Sequence, residues 1–148
     1  MPQSRIIRQQ ALQLLCQFDA GNLDVAYTTD ATFDEEYSDI SKPHAKAASL
    51  AKKVWEAREI ADEVIATLTP EWPMHRQPLV DRNILRLAHY EMNGEATPPI
   101  VAISEAVELA NEFGTQRSPA FINGVLQEVM EKYQSERVRD KGTGGSTS

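Results

Sequence analysis

The chain has 148 residues, 41 % of them hydrophobic and 25 % charged, which is typical of a soluble globular protein with one real core. No apolar run approaches the roughly 20 residues of a membrane helix, and the single cysteine excludes an internal disulfide. The apolar run near the N-terminus is too short for a signal peptide, so we expect a cytoplasmic protein. The net charge of −7 argues against strong non-specific nucleic-acid binding.

The first predicted helix runs from about Ser4, a candidate N-cap, to Phe18. Its predicted inward stripe consists of Ile7, Ala11, Leu14, Leu15 and Phe18. The polar residues predicted to point outward are Arg5, Arg8, Gln9 and Gln13. This face is either a surface that contacts RNA phosphates and bases or a solvated helix face.

An acidic stretch follows the break at Gly21-Asn22. Seven of the 22 acidic residues lie between positions 19 and 40, and the other 15 equal the number of Lys and Arg residues. Phe33, Tyr37 and Ile40 can anchor one short helix there. The segment is either a solvated connector or an acidic site for a partner.

An apolar period of 3.6 residues predicts one long helix from Pro43 to Leu68. A proline-rich loop follows, and Trp72 in this loop is either a plug over the core or a platform for a base. Three further helical patterns then occupy Leu79 to Tyr133, broken at Asn93-Gly94, at Thr97-Pro98-Pro99 and at Gly114. The last pattern opens with Ser118 as N-cap and Pro119 at the first helical position.

These elements predict an all-α helical bundle of two small helical subdomains that share one core. We expect one domain over residues 1–133, with subdomains at about 4–69 and 78–133. The polar, glycine-rich residues 134–148 should form a disordered tail. Gly124 lies in mid-helix, where glycine costs stability, and we expect another helix to pack closely against it.

We find no pattern typical of a reaction centre. His44, His75 and His89 lack the spacing of a metal site, Cys16 has no activating neighbour, and Asp81 is best explained as a helix cap. A glycine-rich phosphate loop is absent from the sequence. We therefore expect no catalytic residue, no metal, no cofactor and no enzymatic activity.

Four segments carry a family resemblance: Arg5-x-x-Arg8-x-x-Ala11-Leu12-Gln13-x-Leu15, VDRNILRLAHYE, VAISEAVELANEFG and SPAFINGVLQEVMEK. In sequence and spacing they resemble the NusB family of bacterial transcription antitermination factors. The resemblance covers somewhat more than half of the chain, and FINGVL is its most specific part. It implies a NusB-like fold.

The resemblance also implies a function. NusB-like proteins bind the single-stranded boxA element of ribosomal RNA leaders together with NusE, a small-subunit ribosomal protein, and help RNA polymerase to read through terminators. The implied RNA-binding residues are Arg5, Arg8, Gln13, Arg117, Ser118 and Phe121. The positions matching the NusE contact include Cys16, where many relatives have a tyrosine, and Asp81. From the residues alone, Phe121 is either a core residue or a ring that stacks on a base.

One alternative from another class remains open. The chain is either such an RNA-binding factor or a helical interaction module or homodimer that does not bind RNA. Some ribosomal RNA methyltransferases carry a similar N-terminal domain, but this sequence has no cofactor loop, so we set that alternative aside.

Overall fold

The computed structural model describes the backbone of residues 4–21, 42–94 and 96–146, and the side chains of residues 4–21, 45–94 and 96–136. Within these ranges the protein is all-α. The helices are α1 (Arg5–Asp19), α2 (Lys42–Glu56), α3 (Arg58–Leu68), α4 (Leu79–Asn93), α5 (Pro99–Phe113) and α6 (Ser118–Ser146), with a 3₁₀ turn at Met74–Arg76. The short helix predicted at Phe33, Tyr37 and Ile40, with the acidic connector around it, lies outside the described residues.

The start and end of α1 follow the sequence prediction. The Ser4 hydroxyl accepts a hydrogen bond from the backbone N–H of Ile7, so Ser4 is the N-cap. The chain leaves the helix through Gly21, whose φ of 98° lies in the left-handed region that favours glycine.

The single helix predicted from Pro43 to Leu68 is wrong, because α2 and α3 are separate helices that meet at Ala57. One turn after Val54 the apolar stripe has only the small Ala57, next to the charged Arg58, and both are half-buried. The Arg58 guanidinium lies 4.0 Å from the centroid of the Trp55 ring and donates a hydrogen bond to the Trp55 carbonyl oxygen at 2.7 Å. These contacts hold the corner between the two helices.

Helix α4 lies at the centre of the bundle and packs against all five other helices. The sequence pattern indicated one apolar face, but α4 is buried on nearly every side. Its buried polar residues are Asp81, Asn83, Arg86, His89 and Glu91. Each of them bonds to a residue outside α4, because a buried polar group without a partner costs stability.

One apolar core contains residues from all six of these helices. Its largest fully buried side chains include Leu12 and Leu15 of α1, Ile65 of α3, and Ile122 and Leu126 of α6. A polar cluster supports this core, because Asp19 at the end of α1 bonds to Arg82, Asn83 and Arg86. Arg86 also donates hydrogen bonds to both carboxylate oxygens of Asp62 in α3.

Helix α6 extends beyond its predicted end at Tyr133. Residues 134–146, for which we predicted disorder, continue the helix backbone to Ser146. The apolar stripe that anchors α6 does stop at Tyr133, but no proline interrupts the chain after Pro119, so the backbone can keep its helical hydrogen bonds.

Gly124 has nothing within 4 Å of the position of a Cβ atom. The close helix packing that we predicted at Gly124 is therefore wrong. Gly114 shows such a close approach instead, since its Cβ would lie 2.6 Å from the Cβ and Oγ atoms of Ser118.

Candidate nucleic-acid interface

The outer side of α1 presents three polar residues one turn apart, Arg5, Gln9 and Gln13, which we call the α1 edge. Arg5 and Gln13 are exposed and Gln9 is half-buried. Two of these side chains contact α5. The Arg5 guanidinium donates to Glu105 through Nε at 3.1 Å and Nη2 at 3.3 Å, and Gln9 Nε2 donates to Glu112 at 2.7 Å. The α1 edge therefore runs alongside α5.

Arg8 does not belong to the α1 edge, and the prediction that it points outward is wrong. Its guanidinium is buried and forms an ion pair with Glu91, with 2.7 Å between Nη2 and Oε2. At about 100° per residue, Arg8 falls between Leu12 and Leu15 in the sector that faces the core. A helical projection of the sequence would thus have found its position, though not its partner on α4.

The loop before α6 is fixed by Ser118. The Ser118 hydroxyl donates to Asp81 Oδ1 at 2.8 Å and accepts from the Thr115 N–H at 2.9 Å. Ser118 is 1 % exposed and Asp81 is 2 % exposed. Neither side chain is available at the surface. The predicted direct contacts of Ser118 with RNA and of Asp81 with a protein partner are therefore wrong. The two residues instead link α4 to α6.

The predicted capping role of Asp81 is also wrong, and Ser118 is the first residue of α6 rather than the residue before it. Pro78 is the N-cap of α4, and Asp81 in the first turn bonds to Ser118 rather than to its own helix. Burial raises the pKa of the Asp81 carboxyl above its usual value, while the hydrogen bond from Ser118 acts in the opposite direction.

Arg117 and Phe121 flank this link on the surface side. Arg117 is exposed and Phe121 is half-buried. The Phe121 ring packs edge-to-face on Trp72, with 4.6 Å between ring centroids. Trp72 is 36 % exposed, so it only partly covers the core. Both rings line an open groove of about 580 Å³, with Gly124 beside them and Glu71 and Glu128 among its other residues.

Cys16 is half-buried beside the first turn of α4, and its Sγ lies 3.9 Å from the Leu79 carbonyl oxygen. Burial and the nearby Asp19 carboxylate raise the pKa of the thiol to about 11. The thiol is therefore protonated near neutral pH and is a poor nucleophile.

The structure thus divides the predicted site residues by position. Arg5 and Gln13 are exposed on α1, and Arg117 and Phe121 lie around the start of α6. Cys16 lies beside the first turn of α4, and Asp81 is buried in that turn against Ser118. The sequence reasoning missed Glu105 and Glu112, which face the α1 edge. Their spacing of seven residues, which puts both on one side of a helix, was the signal for them.

Among the described residues, no group of three or more His, Cys, Asp or Glu side chains is arranged to hold a metal ion. The same part of the chain contains no helix that is long and apolar enough to cross a membrane.

The fold and the site define a class of all-helical bundle proteins. The bundle packs around the central helix α4, and exposed polar residues lie on α1 and near the start of α6. A sequence model described as the NusB family matches residues 5–131. The chain belongs to the NusB family of transcription antitermination proteins.

Similar proteins include two curated relatives and one solved structure. The chain is 42 % identical to the transcription antitermination protein NusB of Solibacter usitatus over 131 residues, covering 87 % of this chain and 89 % of that protein. It is 39 % identical to the NusB of Streptomyces coelicolor over 127 residues, covering 84 % and 89 %. The structure of T. maritima NusB matches with a TM-score of 0.73 at 31 % identity, covering 88 % of this chain and 92 % of that one.

Proposed function

We propose that this protein binds the boxA element of ribosomal RNA leaders as a single strand, together with NusE, and promotes read-through by RNA polymerase. The observation that carries the proposal is the α1 edge, a row of polar side chains with Arg5 and Gln13 exposed, on the helix that a NusB family chain would use for RNA. Because nascent transcripts are cytoplasmic in bacteria, we infer that the protein acts there.

Four residues form the proposed RNA surface. Arg5 and Arg117 are exposed cations that suit phosphates, and the exposed amide of Gln13 can both donate to and accept from a base. Phe121 offers the uncovered part of its ring to one unpaired base, a contact worth about 1–3 kcal/mol. Arg8 and Ser118 support this surface from inside, through Glu91 and Asp81.

The proposed contact with NusE lies near Cys16 and the first turn of α4. Leu79 is 37 % exposed there and Cys16 lies against its carbonyl group. Asp81 acts beneath this surface by fixing α4 to α6. A net charge of −7 predicts weak RNA binding by the protein alone. A partner that adds charge and contact area would therefore raise the affinity of the complex.

A gel-shift titration of boxA RNA, with and without NusE, tests this proposal. We expect weak binding by the protein alone and tighter binding with NusE, and a scrambled strand of the same length should bind less well. No RNA binding in either condition would refute the proposal. Sedimentation without RNA would then show whether the chain is a homodimer, as expected for an interaction module.

A further inference from the structure

Each described arginine of α1 bonds to a carboxylate of another helix. Arg8 is buried against Glu91, and Arg5 at the surface bonds to both oxygens of Glu105. The Arg5 side chain is 57 % exposed, whereas that of Glu105 is only 19 % exposed. A phosphate can therefore approach the guanidinium from solvent. However, the Nε and Nη2 donors of Arg5 are already bonded to Glu105.

The acidic side of α5 extends this relationship along the α1 edge. Glu105, Glu108 and Glu112 share one side of α5 and line a small groove of about 190 Å³ together with Arg5. Glu112 bonds to Gln9, one turn along α1 from Arg5. The hydrogen bond and the charge of Glu105, followed by the more distant charges of Glu108 and Glu112, raise the pKa of Arg5. A polyanion on this edge thus experiences repulsion as well as attraction.

We propose that Glu105 sets the RNA affinity of this protein by competing with RNA phosphate for the Arg5 guanidinium. This inference rests on the proposed function. In the free protein Glu105 holds Arg5, and in the complex one phosphate takes its place. The contribution of Arg5 to the free energy of RNA binding is therefore the difference between its contact with phosphate and its contact with Glu105. It is not the full strength of the phosphate contact.

The exchange is possible because the Arg5 side chain of this pair is exposed to solvent. Surface ion pairs contribute little to stability and are weakened by salt, so a phosphate that binds at neighbouring residues as well can displace the carboxylate. A polyanion with no other contacts gains little from the exchange. Glu105 therefore lowers the affinity for every strand by a similar factor, so tight binding depends on the other contacts and on the partner.

The test is the Glu105→Gln variant, which keeps the shape of the side chain but removes its charge. At low salt we expect Glu105→Gln to bind boxA RNA about two- to fivefold tighter than the wild type, which corresponds to the range of surface ion pairs. The factor should be the same for a scrambled strand, because every strand presents phosphates. Glu108→Gln is the matched control. It removes the same charge at a position one turn along α5, where Glu108 has no hydrogen bond to Arg5 among the described contacts. Its effect on RNA affinity should be smaller.

The Arg5→Ala background separates competition from a general charge effect. We expect Glu105→Gln to give no gain in the Arg5→Ala protein. An unchanged affinity of Glu105→Gln, or the same gain with and without Arg5, would overturn the inference.

Failure of the proposed function has a different signature. In that case the wild type would bind no RNA even with NusE. Retention on a heparin column then tests the competition alone. Elution of Glu105→Gln at higher salt than Glu108→Gln, with the difference lost in Arg5→Ala, would support it, and identical elution would refute it.

Discussion

Arg8 and Glu91 form an ion pair inside the bundle, with 2.7 Å between Arg8 Nη2 and Glu91 Oε2 and both side chains at most 5 % exposed. The pair joins α1 to the central helix, and Thr97 also donates a hydrogen bond to the same carboxylate at 3.2 Å. This contact, together with the apolar face of α1, fixes the position of the α1 edge.

We predict that Arg8→Ala lowers the free energy of unfolding by about 3–5 kcal/mol, because Glu91 would remain charged and buried without its partner. Urea denaturation followed by circular dichroism measures the effect. The double variant Arg8→Met, Glu91→Leu removes both charges at similar volume and should recover most of the loss. Arg5→Ala, at the surface of the same helix, should leave the unfolding midpoint near that of the wild type. A small effect of Arg8→Ala would contradict the assigned role.

The two glycines near and within α6 should respond in opposite directions to alanine. A Cβ at Gly114 would lie 2.6 Å from Ser118, so Gly114→Ala should destabilise the protein by about 1–3 kcal/mol through overpacking. Gly124 has open space around it and lies in mid-helix, so Gly124→Ala should stabilise by up to about 1 kcal/mol. Equilibrium unfolding in urea compares the two variants directly, and destabilisation by Gly124→Ala would count against the open groove.

Asp19 should stabilise the fold more as pH rises. Burial alone would raise its pKa, but hydrogen bonds from Arg82 and Asn83 and the charge of Arg86 outweigh it, so the pKa lies below the usual 3.8. Its contribution is complete above pH 3.8 and is lost as pH falls through the lowered pKa. Asp19→Asn should therefore cost about 1–3 kcal/mol at pH 7, since it weakens hydrogen bonds to two arginines. The loss should shrink in unfolding measurements below pH 3.8.

Asp81 should show the opposite pH dependence. Its pKa is raised above 3.8 by burial, so its contribution is present below pH 3.8 and is lost as pH rises through the raised pKa. Asp81→Asn can still accept the hydrogen bond from Ser118, and its stability relative to the wild type should increase between pH 4 and pH 7. Urea unfolding at a series of pH values provides the measurement; a relative stability that falls over this range would disprove the assignment.

The salt dependence of RNA binding should report the exposed arginines. Each phosphate contact with a single strand contributes about 0.7 to the slope of log K against log salt. Arg5→Ala and Arg117→Ala should each reduce the magnitude of the slope by about this amount, with helicity unchanged. Lys53→Ala, which removes an exposed cation from α2, is the control and should leave the slope as it is. An unchanged slope for both arginine variants would remove them from the RNA surface.

The sequence by itself determined the all-α class and most of the helix boundaries, but it missed the break at Ala57 and the extension of α6 to Ser146. Ser4, Gly21, the Asn93-Gly94 pair and Gly114 act through their own backbone and their neighbours, so local rules locate them. The apolar stripe of α1 was equally readable, and the family resemblance gave the fold.

Only the tertiary structure decided what the polar residues do. Arg5 and Arg8 are three residues apart with the same side chain, yet one is exposed beside Glu105 and the other is buried with Glu91. The partners lie 100 and 83 positions away in the chain, and no local pattern connects them. The role of a charged group depends on its distance from other charges and from water, and packing of the helices sets both.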